Sequence, residues 1–483
     1  MLSCKWAAKN FRIDINYNTK KVRYNILLIA NGEIMSYIPN TDAERNQMLE
    51  KIGVHSFEEL IQVIPRKFRL QELLNLSPPL SELELTQLVN ALASKNIDTQ
   101  KFISFLGAGV YDHFIPAAVD TIVSRPEFYT AYTPYQAEVS QGTLQYIYEY
   151  QTLICELTGM GISNASMYDG ATAVAEAILM AVRKNHLKKA IISSAIHPEF
   201  IKVIQSYTEG IGLELVFCDI KYGRTDIANL ADKMDENVSS VVIQTPNFLG
   251  NIEAMNELEK VVHSNPKTLF IASVDPVSLG ILKPPSSYHA DIVTGEGQAL
   301  GNNMYMGGPL FGFFATHKDM ARLMPGRIVG ATVDVEGNRA YTLTLQAREQ
   351  HIRREKATSN ICSNESLCTL AATVYLSLLG KDGLIEVATQ SAQKAHFLAN
   401  EIASIPGFSL CYPETPFFKE FAIHCPVSAQ KVIQDMLNKH IFAGVDLKSY
   451  GYDENTLLIA VTEKRTRAEL ENYATALREM NYE

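Results

Sequence analysis

From Ile103 to about Gly330 short, continuously apolar runs alternate with longer amphipathic stretches. Ala190–Ser193, Glu214–Phe217, Ser240–Ile243 and Thr268–Val274 are rich in β-branched and aromatic side chains at successive positions. Apolar runs that do not alternate with polar residues predict strands buried on both faces. Tyr146–Thr158 and the Ala-rich Thr172–Asn185 carry the helical period instead. The alternation predicts an α/β fold whose mostly parallel sheet is covered by helices on both faces, with ligands bound at the carboxyl ends of the strands. Those ends hold His197-Pro198, Thr245-Pro246-Asn247, Asp275 and Gln298.

The flanks read differently. Between Thr41 and about Ala93 helical stretches are punctuated by Pro65, Pro78 and Pro79. Asp42-Ala43-Glu44-Arg45 opens a helix with acidic residues near its positive end, and Ser56 with Glu59 has capping-box spacing. From about Thr373 a smaller α/β unit is expected: a long helix Glu386–Ile405, strands near Phe421–Ile423 and Thr456–Ala460, and a last helix Arg467–Met480. The expected organisation is a leader over residues 1–34, a helical arm over 35–102, a large domain over 103–372 and a small C-terminal α/β domain over 373–483. In the leader, Lys20-Lys21-Val22-Arg23 precedes a short apolar run, Asn25–Ala30, without a clear small-residue cleavage site. Met35 is the expected start of the working chain.

Composition narrows the function. The 483 residues are 47% hydrophobic and 20% charged, ordinary for a globular chain of two or three domains. A net charge of −10 argues against nucleic acid as the main partner. Seven scattered cysteines with no CxxC pair suit reduced thiols in the cytoplasm. No unbroken apolar run approaches the roughly 18 residues of a membrane span, so no membrane partner is expected. His289-Ala290-Asp291 is an isolated pair without further ligands nearby, so no metal is expected.

The chemistry concentrates at two strand ends. Asp275 closes one apolar strand. The next, Ala290–Thr294, runs into Gly295-Glu296-Gly297-Gln298-Ala299-Leu300-Gly301. One large class of enzymes holds pyridoxal phosphate with an aspartate on the pyridinium nitrogen and a Schiff-base lysine after the next strand. Here the lysine slot holds Gln298 and Ala299, Lys283 comes too early and Lys318 too late. The turn Ser166–Thr172 opens a helix and suits a phosphate cup, although Asp169 carries the wrong charge and a plain N-cap is the alternative. His197 follows a strand, where it either stacks on a planar cofactor or serves the structure. Taken together, Ser166, Thr172, His197 and Asp275 resemble the fold-type I pyridoxal-phosphate scaffold.

Two longer stretches are more distinctive: Tyr132–Gly142, and Arg348-Glu349-Gln350-His351-Ile352-Arg353-Arg354-Glu355-Lys356-Ala357-Thr358-Ser359-Asn360-Ile361-Cys362. The second reads as a solvated charged helix or as a buried polar network at a subunit contact. With Ser166–Ala177 and Pro325–Gly330, these stretches make the chain resemble the P-proteins of the glycine cleavage system over Met35–Glu483. The resemblance is closest to the alpha subunit of the split bacterial and archaeal form and extends to the N-terminal half of the fused form.

That resemblance implies glycine decarboxylation by pyridoxal phosphate, with the aminomethyl group passed to the lipoyl arm of the H-protein. It implies a partner beta subunit that carries the cofactor and a His-Lys pair where this chain has Gln298-Ala299. On this expectation no catalytic residue lies within the chain, and Ser166, Thr172, His197 and Asp275 are vestigial. Tyr135, Gln136, Glu138 and Ser140, then His351, Arg353 and Arg354, would border glycine and the lipoyl arm at the subunit interface. Two other readings stay open: a scaffold or H-protein docking subunit, and a stand-alone pyridoxal enzyme such as an aldolase or desulfurase.

Overall fold

The computed structural model describes residues 40–70, 75–77, 80–305, 308–346, 350–480 and 482. The expected leader, Met35, Pro78, Pro79, Gly307, Arg348 and Glu349 lie outside them. The chain forms two compact units, divided between Ser94 and Lys95.

In the first unit α1 spans Asp42–Ile52. Thr41 and Glu44 cap it reciprocally, the Glu44 N–H donating to Thr41 Oγ1 at 3.2 Å and the Thr41 N–H to Glu44 Oε2 at 2.7 Å. Ser56 accepts the Glu59 N–H at 3.3 Å and opens a single turn, Phe57–Leu60. A second capping box, Ser81 with Glu84, opens α2, Glu82–Ala93.

The second unit is built on a seven-stranded sheet among the described residues. Its strands are β1 (Ile162–Ser163), β2 (Lys189–Ser193), β3 (Glu214–Cys218), β4 (Val238–Thr245), β5 (Leu269–Val274), β6 (Ile292–Glu296) and β7 (Gly312–Thr316), in the order β1-β7-β6-β5-β4-β2-β3. Pairing is parallel from β3 through β6, and β7 runs antiparallel to both β6 and β1. Most of the apolar runs therefore became central strands, with every residue of β5 buried and Ile191, Val241, Phe270 and Val293 in one core; the exception is β3, which forms one edge of the sheet and is only partly buried. Helices α3 (Gln141–Thr158) and α4 (Gly170–Asn185) begin slightly before the positions their periodicity marked, and α5 (Pro198–Thr208) follows β2. An antiparallel pair, β8 (Ile328–Val333) and β9 (Arg339–Thr344), lies outside the main sheet.

Helix α6, Ser366–Ala403, is long and apolar enough by length and composition to cross a membrane, which corrects the expectation drawn from unbroken apolar runs. The run is interrupted by Ser, Thr and Gly, so only its helical form reveals it. Half of that span is buried inside the protein, and the helix is broken at Gly380, where φ is 59°. Ala372 and Tyr375 pack into the core of the large sheet, while Ala395, Leu398 and Ile402 enter a second core. That second core fills a four-stranded sheet of β10 (Ser409–Leu410), β11 (Glu420–His424), β12 (Val445–Asp446) and β13 (Thr456–Ala460), ordered β10-β11-β13-β12, with the last helix α7 (Arg467–Glu479). Burying such aliphatic side chains contributes about 1.5–3 kcal/mol each, so α6 ties the two sheets together.

Candidate functional site

The end of β5 meets the C-terminal sheet. Asp275 accepts the Val277 N–H on Oδ1 at 2.9 Å, and its Oδ2 lies 2.7 Å from the ammonium of Lys419, just before β11. The Lys419 side chain is 2% exposed. Its Nζ stands 3.7 Å from the centre of the Tyr111 ring and donates to His113 Nε2 at 2.9 Å. An ammonium has only donors, so Nε2 accepts and His113 Nδ1–H faces Glu463 Oε2 at 2.6 Å. The result is a buried relay of alternating partners: Asp275, Lys419, His113, Glu463.

The neighbouring Glu420 carboxyl accepts the Ala108 N–H at 2.7 Å and the Tyr111 hydroxyl at 2.9 Å. Burial pushes this carboxyl up to about 7, against those hydrogen bonds. Two glycines permit the approach: a Cβ on Gly107 would overlap the Glu420 side chain, and one on Gly250, at φ 82°, would overlap the Glu420 carbonyl.

Gln298, in the lysine slot, is bound to backbone. Its Oε1 accepts the Tyr111 N–H at 2.9 Å, and its Nε2 donates to the carbonyls of Tyr111 at 3.2 Å and Asn302 at 2.7 Å. Ala299 beside it is buried.

The turn before α4 is equally self-satisfied. Asp169 Oδ1 accepts the Thr172 N–H at 2.7 Å, and Thr172 Oγ1 accepts the Asp169 N–H at 3.2 Å. The Gly170 N–H donates to Glu296 Oε2 at 2.9 Å, while Glu296 Oε1 accepts from Gln298 N–H at 3.1 Å and Phe311 N–H at 3.2 Å. Burial, aided by the charge of Asp169, pushes the Glu296 carboxyl up to about 8 in spite of these donors. Ser166, fully buried, accepts the Glu365 N–H at 3.0 Å. His197 accepts the Glu199 N–H on Nδ1 at 3.1 Å, so Nε2–H donates to the Ala108 carbonyl at 3.0 Å, and the ring stacks on Phe200.

These residues enclose a cleft of about 50 Å³ lined by Tyr111, His197, Asp275, Glu296, Lys419 and Glu420. At about 10–15 Å³ per water that is space for roughly four waters. The residues present do not fit pyridoxal phosphate: the lysine slot is amide and methyl, Asp275 is paired, and the helix N-terminus already has its carboxyl. A wider cleft of about 550 Å³ borders the same turn through Asp169, Thr172, His197, Lys202 and Tyr207.

Arg327, which is 3% exposed, joins the first long stretch to Ser363, the residue that follows the second. Its guanidinium donates to Thr133 Oγ1 at 3.0 Å, Tyr135 Oη at 3.1 Å and Ser363 Oγ at 3.2 Å, and lies over the Tyr135 ring. Tyr135 itself is 51% exposed. Gln136 precedes the turn Ala137–Val139, Glu138 is exposed, and Ser140 stands at the N-cap of α3. His351, Arg353 and Arg354 lie in two short helical turns, Gln350–Arg353 and Arg354–Lys356, and are exposed. Among its described residues the stretch is thus an exposed charged surface over 350–356 and a set of part-buried contacts around Ser359 and Ile361. There Ser359 Oγ donates to Glu176 Oε1 at 2.7 Å, and the Cys362 N–H donates to the Tyr168 hydroxyl at 3.0 Å.

Sequence reasoning had no role for Arg327, Glu296 or Lys419. The first two sat inside stretches already marked, and Glu296 between two glycines at a strand end was a readable signal. Lys419 has no local signal.

The chain matches the family "Glycine cleavage system P-protein" over residues 35–477. It is 51% identical over 446 residues to a protein of Chloroherpeton thalassium, covering 92% of this chain and 100% of that one, named "Probable glycine dehydrogenase (decarboxylating) subunit 1". A protein of the same name from Carboxydothermus hydrogenoformans is 51% identical over 445 residues, 92% of this chain and 99% of its own. Among solved structures, the glycine decarboxylase (P-protein) of the glycine cleavage system in inhibitor-bound form superposes with a TM-score of 0.85 at 43% identity, over 92% of this chain and 100% of that one. Glutamate decarboxylase of Lactobacillus brevis shares the fold alone, with a TM-score of 0.62 at 10% identity, over 88% of this chain and 96% of that one. With the strand ends, the helix-opening turn and both long stretches in place, this chain belongs to the glycine cleavage system P-protein family.

Proposed function

We propose that this chain is the subunit of glycine dehydrogenase (decarboxylating) that borders the reacting site without holding the cofactor. The enzyme decarboxylates glycine with pyridoxal phosphate, releases CO2 and passes the aminomethyl group to the lipoyl arm of the H-protein. The observation that carries the division of labour is Asp275 bound to Lys419 beside a slot filled by Gln298. Pyridoxal phosphate, which supplies the electron sink, belongs on this reading to a second subunit, as the name "subunit 1" of the relatives suggests. Residues 103–372 form the cofactor-type domain and 373–483 the C-terminal domain. Ser166, Thr172, His197 and Asp275 are relics now used for packing. The free cysteines among the described residues suit a cytoplasmic enzyme.

Tyr135, Gln136, Glu138 and Ser140 line the glycine side, and His351, Arg353 and Arg354 present cations to the substrate carboxylate or the lipoyl arm. A cation there binds glycine, yet must not over-stabilise the carboxylate that leaves as CO2. The exposure of His351, Arg353 and Arg354 also favours a second reading, a docking surface for the H-protein.

The test is glycine–CO2 exchange by this chain assembled with its second subunit. Each chain alone should be inactive and the mixture active. Arg353→Ala and Tyr135→Phe should each lower kcat about tenfold or more; a rise confined to the KM for H-protein selects the docking reading. Unchanged exchange in both variants rejects these roles.

A further inference from the structure

The relict cofactor pocket is filled group by group rather than simply abandoned. In the scaffold this chain resembles, three features would recognise a pyridoxal phosphate: the strand-end carboxylate, the helix N-terminus and the lysine slot. All three are engaged by polar groups of the chain itself. The Lys419 ammonium lies 2.7 Å from Asp275 Oδ2, the place of a pyridinium N–H. A Glu296 carboxyl oxygen lies 2.9 Å from the Gly170 N–H, the place of a phosphate oxygen. The Gln298 amide grips both polar atoms of the Tyr111 backbone, which brings the Tyr111 ring over the Lys419 ammonium.

Glu420 opens β11 of the C-terminal sheet with Lys419 just before it, while Asp275 follows β5 and Glu296 ends β6 of the large sheet. The pairing therefore crosses between the two sheets, and the loop residue Asp112 adds contacts to the segment after β13. Asp112 lies 3.0 Å from the Arg465 guanidinium and 2.7 Å from the Lys464 ammonium.

We propose that Lys419 is a built-in ligand: with Glu296 it occupies the pocket as the cofactor otherwise would, and holds the C-terminal sheet against the large sheet in a permanently closed, liganded-like arrangement. The proposal rests on the family reading above and adds that closure here is constitutive. Lys419 acts as a positioning residue. It touches no substrate, and holds the start of β11 against the end of β5. On this reading, closing the pocket from within keeps this chain from competing for the cofactor.

The experiment is thermal unfolding of the full chain, assembled with its second subunit and alone, titrated with pyridoxine 5′-phosphate. That probe has the ring and phosphate but no aldehyde, so surface lysines do not react. The wild-type chain alone should show no shift at 1 mM ligand. Lys419→Ala should lower Tm by several degrees and then regain about 3 °C with the ligand, because the vacated Asp275 takes the pyridinium N–H. Ethylammonium at tens of millimolar should rescue it similarly, a response a merely structural lysine would not give. Lys419→Met, which keeps the volume and removes the charge, should lose stability and respond to neither. If Lys419→Ala is insoluble, the wild-type titration decides together with Lys419→Gln, which should bind the phosphate ligand more weakly than Lys419→Ala would but measurably. A ligand-dependent shift in the wild-type chain, or no shift in any soluble variant, overturns the proposal. The family reading stands or falls separately, on glycine–CO2 exchange by the wild-type assembly.

Discussion

Two polar regions of this protein use the same residue types to opposite ends. Around Asp275, Lys419, His113 and Glu463 each charged group faces a partner from another segment and is withdrawn from water. Around His351–Lys356 the cations stand on exposed turns. A buried ion pair contributes little net stability over an apolar pair of the same shape, but losing one member is costly. An exposed cation contributes little to the fold, because water screens whatever it touches. Polar density therefore does not mark function by itself; what matters is where the partner of each charge comes from.

The largest break in that contrast comes from stranding Lys419. Asp275→Ala leaves an ammonium 2% exposed with its carboxylate removed, and should cost about 3–5 kcal/mol in urea unfolding. The paired change Asp275→Leu with Lys419→Met should recover most of that loss, giving a coupling of about 2 kcal/mol or more in a double-mutant cycle. A loss below about 1 kcal/mol for Asp275→Ala would mean that the ammonium finds water on its own.

Arg327 stands between the two regions, since a buried guanidinium holds an exposed stretch. Arg327→Met removes charge-assisted hydrogen bonds to Thr133, Tyr135 and Ser363, and should cost about 2–3 kcal/mol. Limited proteolysis should then cut first between Tyr132 and Ser140. If cleavage begins elsewhere, the stretch is held by other contacts.

The difference between the regions also governs what could be read beforehand. β2, β4, β5 and β6 were legible because each is an apolar run with the packing of a central strand, while β3, an edge strand, showed only its apolar run. α3 and α4 were legible from their helical period, and the Ser56 cap from its spacing to Glu59, whereas the capping boxes that open with Ser81 and Thr466 were not singled out. The antiparallel β7 was not singled out, although its Phe313 and Phe314 are fully buried. The Arg327 contacts join segments far apart in the chain. So does the pairing of Lys419 with Asp275, which exists only because β11 folds back over the end of β5. Local periodicity carries no trace of such a meeting, and the lysines inspected near the strand end, Lys283 and Lys318, were the wrong ones. The empty slot at Gln298 was legible; the group that closes the pocket was not.

A smaller effect separates buried carboxyls from exposed ones by pH. Glu296 is held at about 8, against an ordinary value of 4.5. Above pH 4.5 the unfolded chain releases this proton while the fold keeps it. Its contribution to stability is therefore fully present at the acid end of the window and is lost as pH rises toward 8. Glu253 and Glu420, each raised to about 7 by burial, act in the same sense. Stability should fall between pH 5 and pH 8, with a Glu296 share on the order of 3–4 kcal/mol, each unit of separation being worth ~1.4 kcal/mol. Glu296→Gln keeps an acceptor for the Gly170 N–H and should flatten the slope by that share. An unchanged slope would show that the three N–H donors hold Glu296 ionised in the fold.

The smallest effect on the fold tests the exposed region. Arg354→Ala removes an exposed cation and should change stability by less than about 0.5 kcal/mol. Arg354 adopts φ 53°, the left-handed region, so Arg354→Gly should stabilise slightly where alanine does not, by up to about 1 kcal/mol. Both variants lose the same charge. If the charge serves glycine or the lipoyl arm, both should lose glycine–CO2 exchange equally, although their stabilities move apart. If exchange instead follows stability, with Arg354→Gly active and Arg354→Ala impaired, the turn matters for its backbone shape and the exposed cation is not a recognition group.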